Sequence, residues 1–323
     1  METALQYVYM VYRERSFTRA AEKLYISQPS LSAMVRKAEQ QFGTPIFDRS
    51  EKPLQLTEAG QAYIAYIERL MQAEETLNEQ LWDIQKLNRG RLRLGGSNYV
   101  LSSIAPLILR RIMPAYPGIE IELVEEKSYS LRRMLEAGEL DLVIDSFDLT
   151  DKTLIYEHLL EEQILLAVPE ALPETKACSS YRISAEQLRR ERSECSVQPL
   201  PEALIRQLLQ KPFILLKPEN DMYLRAQSVF AAYNLSPQIL LQLDQLMTSL
   251  QYTRAGLGCS FVTDTLFRYG ESDRGICLYR IGVQESSGTP GGPFRSLCVA
   301  HKRGKYVSNA SHLLIDTAKA VLN

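Results

Sequence analysis

Catalytic signatures are missing from this chain of 323 residues. It contains no GxSxG, HExxH or GxxxxGK[ST] string, and Gly95-Gly96-Ser97 falls short of a GxGxxG dinucleotide fingerprint. These absences remove the commonest hydrolase, metalloprotease, nucleotide-hydrolase and dinucleotide-enzyme readings, and no catalytic cofactor is expected. Histidine is scarce: His158, His301 and His312 have no metal-ligand spacing. The five cysteines, Cys178, Cys195, Cys259, Cys277 and Cys298, form no CxxC pair, and an odd count fits a reduced compartment. Long apolar runs are also lacking. The least charged stretch, Leu94 to Leu109, is short for a membrane span and holds Gly95, Gly96, Asn98 and Pro106. Glu2 stands where a signal peptide needs a base, and Arg13 interrupts the apolar run behind it. The expected location is therefore the cytoplasm, with no membrane partner. Repeats and low-complexity tracts do not occur.

What is present is enough apolar sequence, 45%, for packed domains, and a length that implies two or three of them. The net charge of −2 announces no nucleic-acid partner. Its distribution does: between Arg13 and Lys37 six basic residues stand against only Glu14 and Glu22. Charge alone fits a solvated helix face, so the helix pattern has to carry the reading. Leu5, Val8, Tyr9 and Tyr12 form the stripe of a first helix. Ser16 and Thr18 suit a cap, and Ala20, Ala21 and Leu24 give the next helix a small inner face. Tyr25-Ile26 makes a turn with Ile26 buried. Ser27 caps a third helix, which tolerates Pro29 in its first turn, points Leu31, Val35, Ala38 and Phe42 inward, and stops at Gly43. Gln28, Pro29, Ser32, Ala33, Arg36 and Lys37 remain outside. Gln28 suits an adenine edge and Arg36 a guanine or phosphate; the Ser30 and Ser32 hydroxyls and the helix-start amides suit phosphate oxygens; Pro29 and Ala33 suit a thymine methyl. By periodicity alone, an αα-hairpin of some other helical domain fits equally well.

The residues from Ser16 to Gly60 resemble the winged helix-turn-helix of the LysR-type transcriptional regulators. The resemblance rests on Phe17-Thr18-x-Ala20-Ala21-x-x-Leu24, Ser27-Gln28-Pro29-Ser30-Leu31-Ser32, Glu39-x-x-Phe42-Gly43, Ile46-Phe47-Asp48-Arg49 and Leu56-Thr57-Glu58-Ala59-Gly60, in order. It implies promoter duplex DNA as a partner, with Thr18, Ser27, Gln28, Pro29, Ser30, Ser32, Ala33, Arg36 and Lys37 at the contact face. It also implies a wing around Asp48 to Leu56, with Arg49 at a phosphate and Lys52 near the minor groove. Two departures, Ala33 where the family often has a long polar side chain and the weakly basic wing Ser50-Glu51-Lys52-Pro53, imply weaker binding per subunit and more reliance on dimerisation.

From Thr57 to about Asn88 no proline occurs, and Tyr63, Ile67, Leu70, Leu77, Leu81 and Ile84 form a heptad-like stripe. This predicts a helix of roughly 45–50 Å that pairs two copies, ending in a hinge at Asn88-Arg89-Gly90. Beyond Arg91, short apolar runs alternate with helical stretches, the pattern of an α/β fold with a mainly parallel sheet. Gly275–Ile281, Ser296–Ala300 and a helix over Ser308–Leu322 read as a return to the first sheet. The expected organisation is an all-α winged helix-turn-helix at 1–60, a linker helix at 57–89 and an α/β regulatory domain at 91–323.

The resemblance further implies a two-lobed, periplasmic-binding-protein-like effector domain. Lobe I is placed at about 91–165 and 266–323, lobe II at about 166–265, with crossings near Ile164–Pro169 and Phe261–Thr265. A small-molecule effector is expected in the cleft, where strand ends meet. The candidates are Ser97, Asn98, Tyr99, Asp145, Ser146, Phe147, Leu216, Lys217, Met247, Thr248 and Thr263. Asp145 favours an effector carrying an amine. A tetramer and contact with RNA polymerase are implied by the family alone. Alternatives are an architectural DNA-binding protein without effector, and a redox regulator using Cys178 and Cys195 in the long 170–210 connection.

Overall fold

The computed structural model describes residues 3–50, 53–84, 90–147, 151–190, 197–282 and 293–322. Lys52, Asn88, Arg89 and Cys195 lie outside these, as does the side chain of Ile84. The chain divides into two compact units, Met1–Leu81 and Trp82–Asn323.

In the first unit, α1 (Thr3–Glu14), α2 (Phe17–Lys23) and α3 (Gln28–Phe42) precede a two-stranded hairpin of β1 (Phe47–Asp48) and β2 (Gln55–Leu56), then α4 (Glu58–Ile84). Ser16 caps α2, its Oγ accepting from Arg19 N at 3.4 Å, and Ser27 caps α3, accepting from Ser30 N at 3.2 Å. Leu5, Val8 and Val11 of α1 meet Ala20, Ala21, Leu31, Val35 and Ala38, and the alanines let α2 approach closely. Ile26 is half-buried against this core, and Phe42 is half-exposed against the Tyr63 ring, so neither is an interior residue.

The stripe expected to pair two copies of α4 is divided. Tyr63 and Ile67 are buried in the head's own core and Leu70 packs against it, whereas Leu77 and Leu81 are exposed. The reason is that α4 begins inside the head domain, and its first turns close the core that α1–α3 leave open. Gly60 sits where α4 crosses the start of the wing: a Cβ there would lie 2.0 Å from the Ile46 carbonyl oxygen.

The second unit starts with β3 (Gly90–Gly96), a π turn at Val100–Ile104, α5 (Ala105–Ala115), β4 (Ile119–Glu125), α6 (Ser128–Ala137) and β5 (Leu142–Ser146). The long β6 (Leu154–Pro169) follows, then β7 (Arg182–Ile183), α7 (Ala185–Arg190), α8 (Glu202–Leu209), β8 (Pro212–Leu216), α9 (Asp221–Ala232) and β9 (Gln238–Leu243). The chain ends with α10 (Leu246–Arg254), β10 (Ser260–Thr263), α11 (Asp264–Arg268), β11 (Ile276–Arg280), β12 (Phe294–Lys302) and α12 (Asn309–Leu322). Strand β3 pairs β4 and β5 in parallel, and β8 pairs β9 in parallel. β12 runs antiparallel to both β5 and β6, so the sheet is mixed rather than mainly parallel. Inside the second unit, Asp83 of the last turn of α4 accepts hydrogen bonds from Tyr306 Oη at 2.7 Å and Asn309 N at 2.9 Å, at the start of α12.

Strand β6 belongs to both lobes. Residues 154–163 pair β12, and 164–169 pair β10 and β11. Gly275–Ile281 is therefore not a return to the first sheet: β11 stays in lobe II, and the return is made by β12. Likewise β10 pairs the lobe II half of β6, and Asp264 and Thr265 begin α11, so Phe261–Thr265 is not a crossing strand. Periodicity marks these strands but carries no information about which neighbour each one finds.

Where β6 passes between lobes, Glu162 is fully buried and Arg295 of β12 donates from Nε to its Oε2 at 2.6 Å. The Tyr99 and Thr265 hydroxyls also hydrogen-bond Glu162. Arg295 Nη1 lies 3.4 Å from Asp221 at the start of α9, and Arg225 Nη1 donates to the Phe294 carbonyl at 2.6 Å. Carboxylate neighbours hold the Arg295 guanidinium firmly protonated despite its burial, with Glu162 the largest of them.

Two outcomes follow. Gly60→Ala is expected to cost the head unit roughly 1–3 kcal/mol by overpacking, measured by chemical denaturation. Arg295→Met should cost about 3–5 kcal/mol by stranding the Glu162 carboxylate, and the double change Glu162→Gln with Arg295→Met should recover most of it, because Gln keeps an acceptor for Tyr99 and Thr265.

Candidate nucleic-acid interface and effector cleft

The outer surface of α3 follows from its cap. Ser27 fixes the start of the helix, so the buried side is Leu31, Val35 and Ala38, and Gln28, Pro29, Ser30, Ala33, Arg36 and Lys37 are exposed. Ser32 is half-buried and accepts from Gln28 Nε2 at 3.0 Å. The Ser27 and Ser30 hydroxyls are 2.7 Å apart, so a phosphate reaching them would find one shared donor pair. Thr18 is exposed on α2, and Tyr25, almost fully exposed at φ +54°, makes the turn before α3. Met34, exposed on α3, completes an apolar spot beside Ala33 that periodicity analysis passed over.

Glu39 ties this helix to the wing. Its Oε1 accepts from Ile46 N at 3.0 Å and its Oε2 from Arg49 Nη2 at 2.9 Å, while the Arg49 guanidinium lies 5.2 Å from the Phe17 ring centroid. Arg49 is thus a fixed cation at the base of the wing, with part of its fork already engaged. The expectation for Lys52 falls outside the described residues.

In the second unit, four strand ends and four helix starts converge on one cleft. It is lined by Ser97 after β3, Glu126, Lys127 and Ser128 after β4, Lys217, Glu219 and Asn220 after β8, and Asp244 and Gln245 after β9. The open space is about 40 Å³, because the walls are drawn together. Lys127 Nζ of lobe I lies 2.9 Å from Asp244 Oδ1 of lobe II, and Lys217 Nζ lies 2.6 Å from the other oxygen. These hydrogen bonds hold the Asp244 carboxyl below its usual range and raise Lys127. The bridge is exposed to solvent and therefore weak, a contact that opens readily.

The sequence candidates sort into three groups. Ser97 and Lys217 line the cleft, and Asn98 at its edge donates to Glu125 at 3.2 Å. Asp145 is buried beside Ser128. One of its oxygens accepts from Ser146 N at 2.8 Å, and Oδ2 has no hydrogen-bond partner among the described residues. Burial pushes the Asp145 pKa up, against the opposing hydrogen bonds of Ser128 and the Ser146 amide. The others are not cleft-lining. Tyr99 is buried on Glu162, Thr263 is buried with its hydroxyl 3.0 Å from that of Thr265, and Leu216 is a core residue. Met247 packs half-buried on the same core, Thr248 is exposed, and Phe147 packs on Tyr156 at 5.4 Å. The carboxyl-end rule applied to β4 and to the loop before α9 would have found Lys127, Ser128, Glu219 and Asn220. Glu162 and Arg295 had only a weak signal, a charge inside an apolar strand.

Cys178 is buried in the lobe II core and its thiol is pushed up by burial; Cys259, also buried, is pushed up to about 12. Thiols so placed are poor nucleophiles. Among the described residues no His, Cys, Asp and Glu cluster could hold a metal ion, and no helix is long and apolar enough to cross a membrane.

Comparison with known proteins bears on both units. The family model described as a bacterial regulatory helix-turn-helix protein, lysR family, matches residues 3–61, and that of the LysR substrate binding domain matches residues 85–193 and 195–323. The chain is 27% identical to the uncharacterized HTH-type transcriptional regulator YcgK of Bacillus subtilis (strain 168), over 98% of this chain and 94% of that one. It is 34% identical to a probable RuBisCO transcriptional regulator of Emiliania huxleyi, over 52% of this chain and 55% of that one. In fold it is similar to full-length CbnR in complex with its target DNA, with a TM-score of 0.62, 17% identity and coverage of 99% and 100%. It is also similar to a full-length OxyR variant from Pseudomonas aeruginosa, with a TM-score of 0.54, 21% identity and coverage of 98% and 99%. With the helix-turn-helix and the two-lobed cleft domain both matched along the chain, the protein belongs to the LysR family of DNA-binding transcriptional regulators with an effector-binding domain.

Proposed function

We propose that this regulator reads its promoter with the exposed face of α3 in the major groove and responds to a small effector carrying an amine. The observation that carries the DNA reading is the capped α3 itself, with Gln28, Ala33, Arg36 and Lys37 on one exposed face. Gln28 offers a bidentate pair to adenine, Arg36 reaches a guanine or a phosphate, and Ala33 and Met34 touch thymine methyls. Thr18, Ser30 and Arg49 take backbone phosphates.

The effector reading rests on Asp145. A buried carboxyl with an unpartnered oxygen, next to a cleft whose lining carboxylates Glu126, Glu219 and Asp244 outnumber Lys127 and Lys217, favours a cationic group. Such a ligand competes for Asp244 and releases Lys127, so the lobes change their separation. The response is a shift between two populations, with a coupling of about 1–3 kcal/mol between effector and DNA.

Assembly follows from unpartnered apolar faces. Tyr66, Met71, Leu77 and Leu81 are exposed on α4 and fit a helix pair with a second copy. Leu123 on the edge strand β4 and Ile239 and Leu240 on the edge strand β9 are exposed as well. Two such surfaces in one chain make a tetramer with paired DNA-binding heads. The protein acts in the cytoplasm, without catalysis or bound cofactor, and RNA polymerase is its partner at the promoter. The redox alternative is disfavoured by the burial of Cys178.

Arg36→Glu should abolish specific promoter binding in a fluorescence-anisotropy titration, while the parent loses affinity steeply as salt rises. Binding undiminished by this change would remove α3 from the groove. For the cleft, a thermal-shift screen of amines, amino acids and plain carboxylates against the full chain should select amines. The affinity of the selected amine should rise with pH as Asp145 loses its proton, and Asp145→Asn should weaken it about tenfold or more. A carboxylate lacking an amine as the sole binder would overturn the assignment.

A further inference from the structure

A cavity much larger than the effector cleft lies elsewhere in the second unit. It is a groove of about 800 Å³ at the junction of the lobes, within the usual size of a small-molecule site. Lobe I contributes α5, α12 and part of β6; lobe II contributes α7, α11 and β11. None of the residues lining it lines the cleft.

Its chemistry is cationic. Arg110, Arg111, Arg189, Arg268 and Arg280 all line it, against the carboxylates of Glu161 and Asp264. Arg268 is paired with Asp264 at 2.7 Å, and Arg189 is held by the carbonyls of Phe267 at 3.1 Å and Glu271 at 2.8 Å. These bonds fix guanidiniums in place without neutralising the site. Arg110 and Arg111, adjacent on α5 and exposed, make no hydrogen bond or ion pair among the described residues. Two neighbouring cations facing a groove with three more repel one another, and an anion with several charged oxygens relieves that repulsion. Guanidinium forks match phosphate and carboxylate oxygens in pairs. Leu107, Leu188 and Val321 supply an apolar wall for a carbon skeleton.

We propose that this groove is a second ligand site and that it takes a small organic polyanion, a phosphate ester or a polycarboxylate. It stands independently of the amine reading of the cleft, whose charge is of the opposite sense. Position gives the site a consequence. Gln163 and Asp264 line the groove, while their chain neighbours Glu162 and Thr265 are hydrogen-bonded to each other at the lobe crossing. Because side chains alternate along a strand, Glu162 and Gln163 face opposite sides of β6. A polyanion bridging α5 to α7 and α11 therefore grips both lobes directly behind their shared strand.

The test is isothermal titration of the full-length protein with citrate and, separately, fructose 1,6-bisphosphate, at constant ionic strength with chloride as the balancing anion. Saturable one-site binding of either is expected; citrate alone assigns a polycarboxylate, the bisphosphate alone a phosphate ester. Arg110→Ala with Arg111→Ala should weaken binding at least tenfold, and the two single variants serve where the double variant does not fold. Asp145→Asn should leave it unchanged. Neither anion binding, or binding equal in parent and arginine variants, would overturn the site.

Discussion

The regulatory domain depends on one buried charge pair. Arg295 and Glu162 face each other on antiparallel strands at the point where the chain passes between lobes. Two charges removed from water are costly, and the arrangement persists because each is over-supplied with partners: Tyr99 and Thr265 for the carboxylate, Asp221 for the guanidinium. Those partners come from the loop after β3, from the start of α11 and from the start of α9. The pair thereby ties elements of both lobes together at the strand they share.

Around that fixed point the domain distributes weaker interactions. The Lys127–Asp244–Lys217 bridge at the cleft is solvent-exposed, so it is worth little and yields easily. Burial separates the two classes: the same ion-pair chemistry is a permanent fixture when dry and a reversible latch when wet. Asp145 lies between them, dry but only partly bonded, which is the condition in which a buried polar group most favours a new partner.

The head domain was legible because its determinants are local. Ser16 and Ser27 as caps, Gly43 as a left-handed stop at φ +70°, and the alanine pair of α2 are decided within a few residues of chain. Gly60 is an exception by mechanism: the family pattern contains it, but its reason is a backbone approach from Ile46. The cleft was half legible. Ser97, Lys217 and the neighbourhood of Asp145 followed from the rule that ligands gather at strand ends, while Tyr99, Thr263 and Leu216, equally near strand ends, turned inward. Whether a side chain beside a strand end lines the cleft or the core depends on what packs behind it.

The sequence by itself determined the three-helix head, its caps, the polar outer face of α3, the long helix after it and the alternation of strands and helices beyond. Each of these is governed by periodicity, capping or turn chemistry over short separations. Tertiary structure alone decided that Tyr63 and Ile67 serve the head core instead of a partner helix, that β11 stays in lobe II, and that Glu162 meets Arg295. It also decided that five arginines from four elements share one groove. Such contacts join residues scores of positions apart, and their energy comes from burial, which no local pattern encodes.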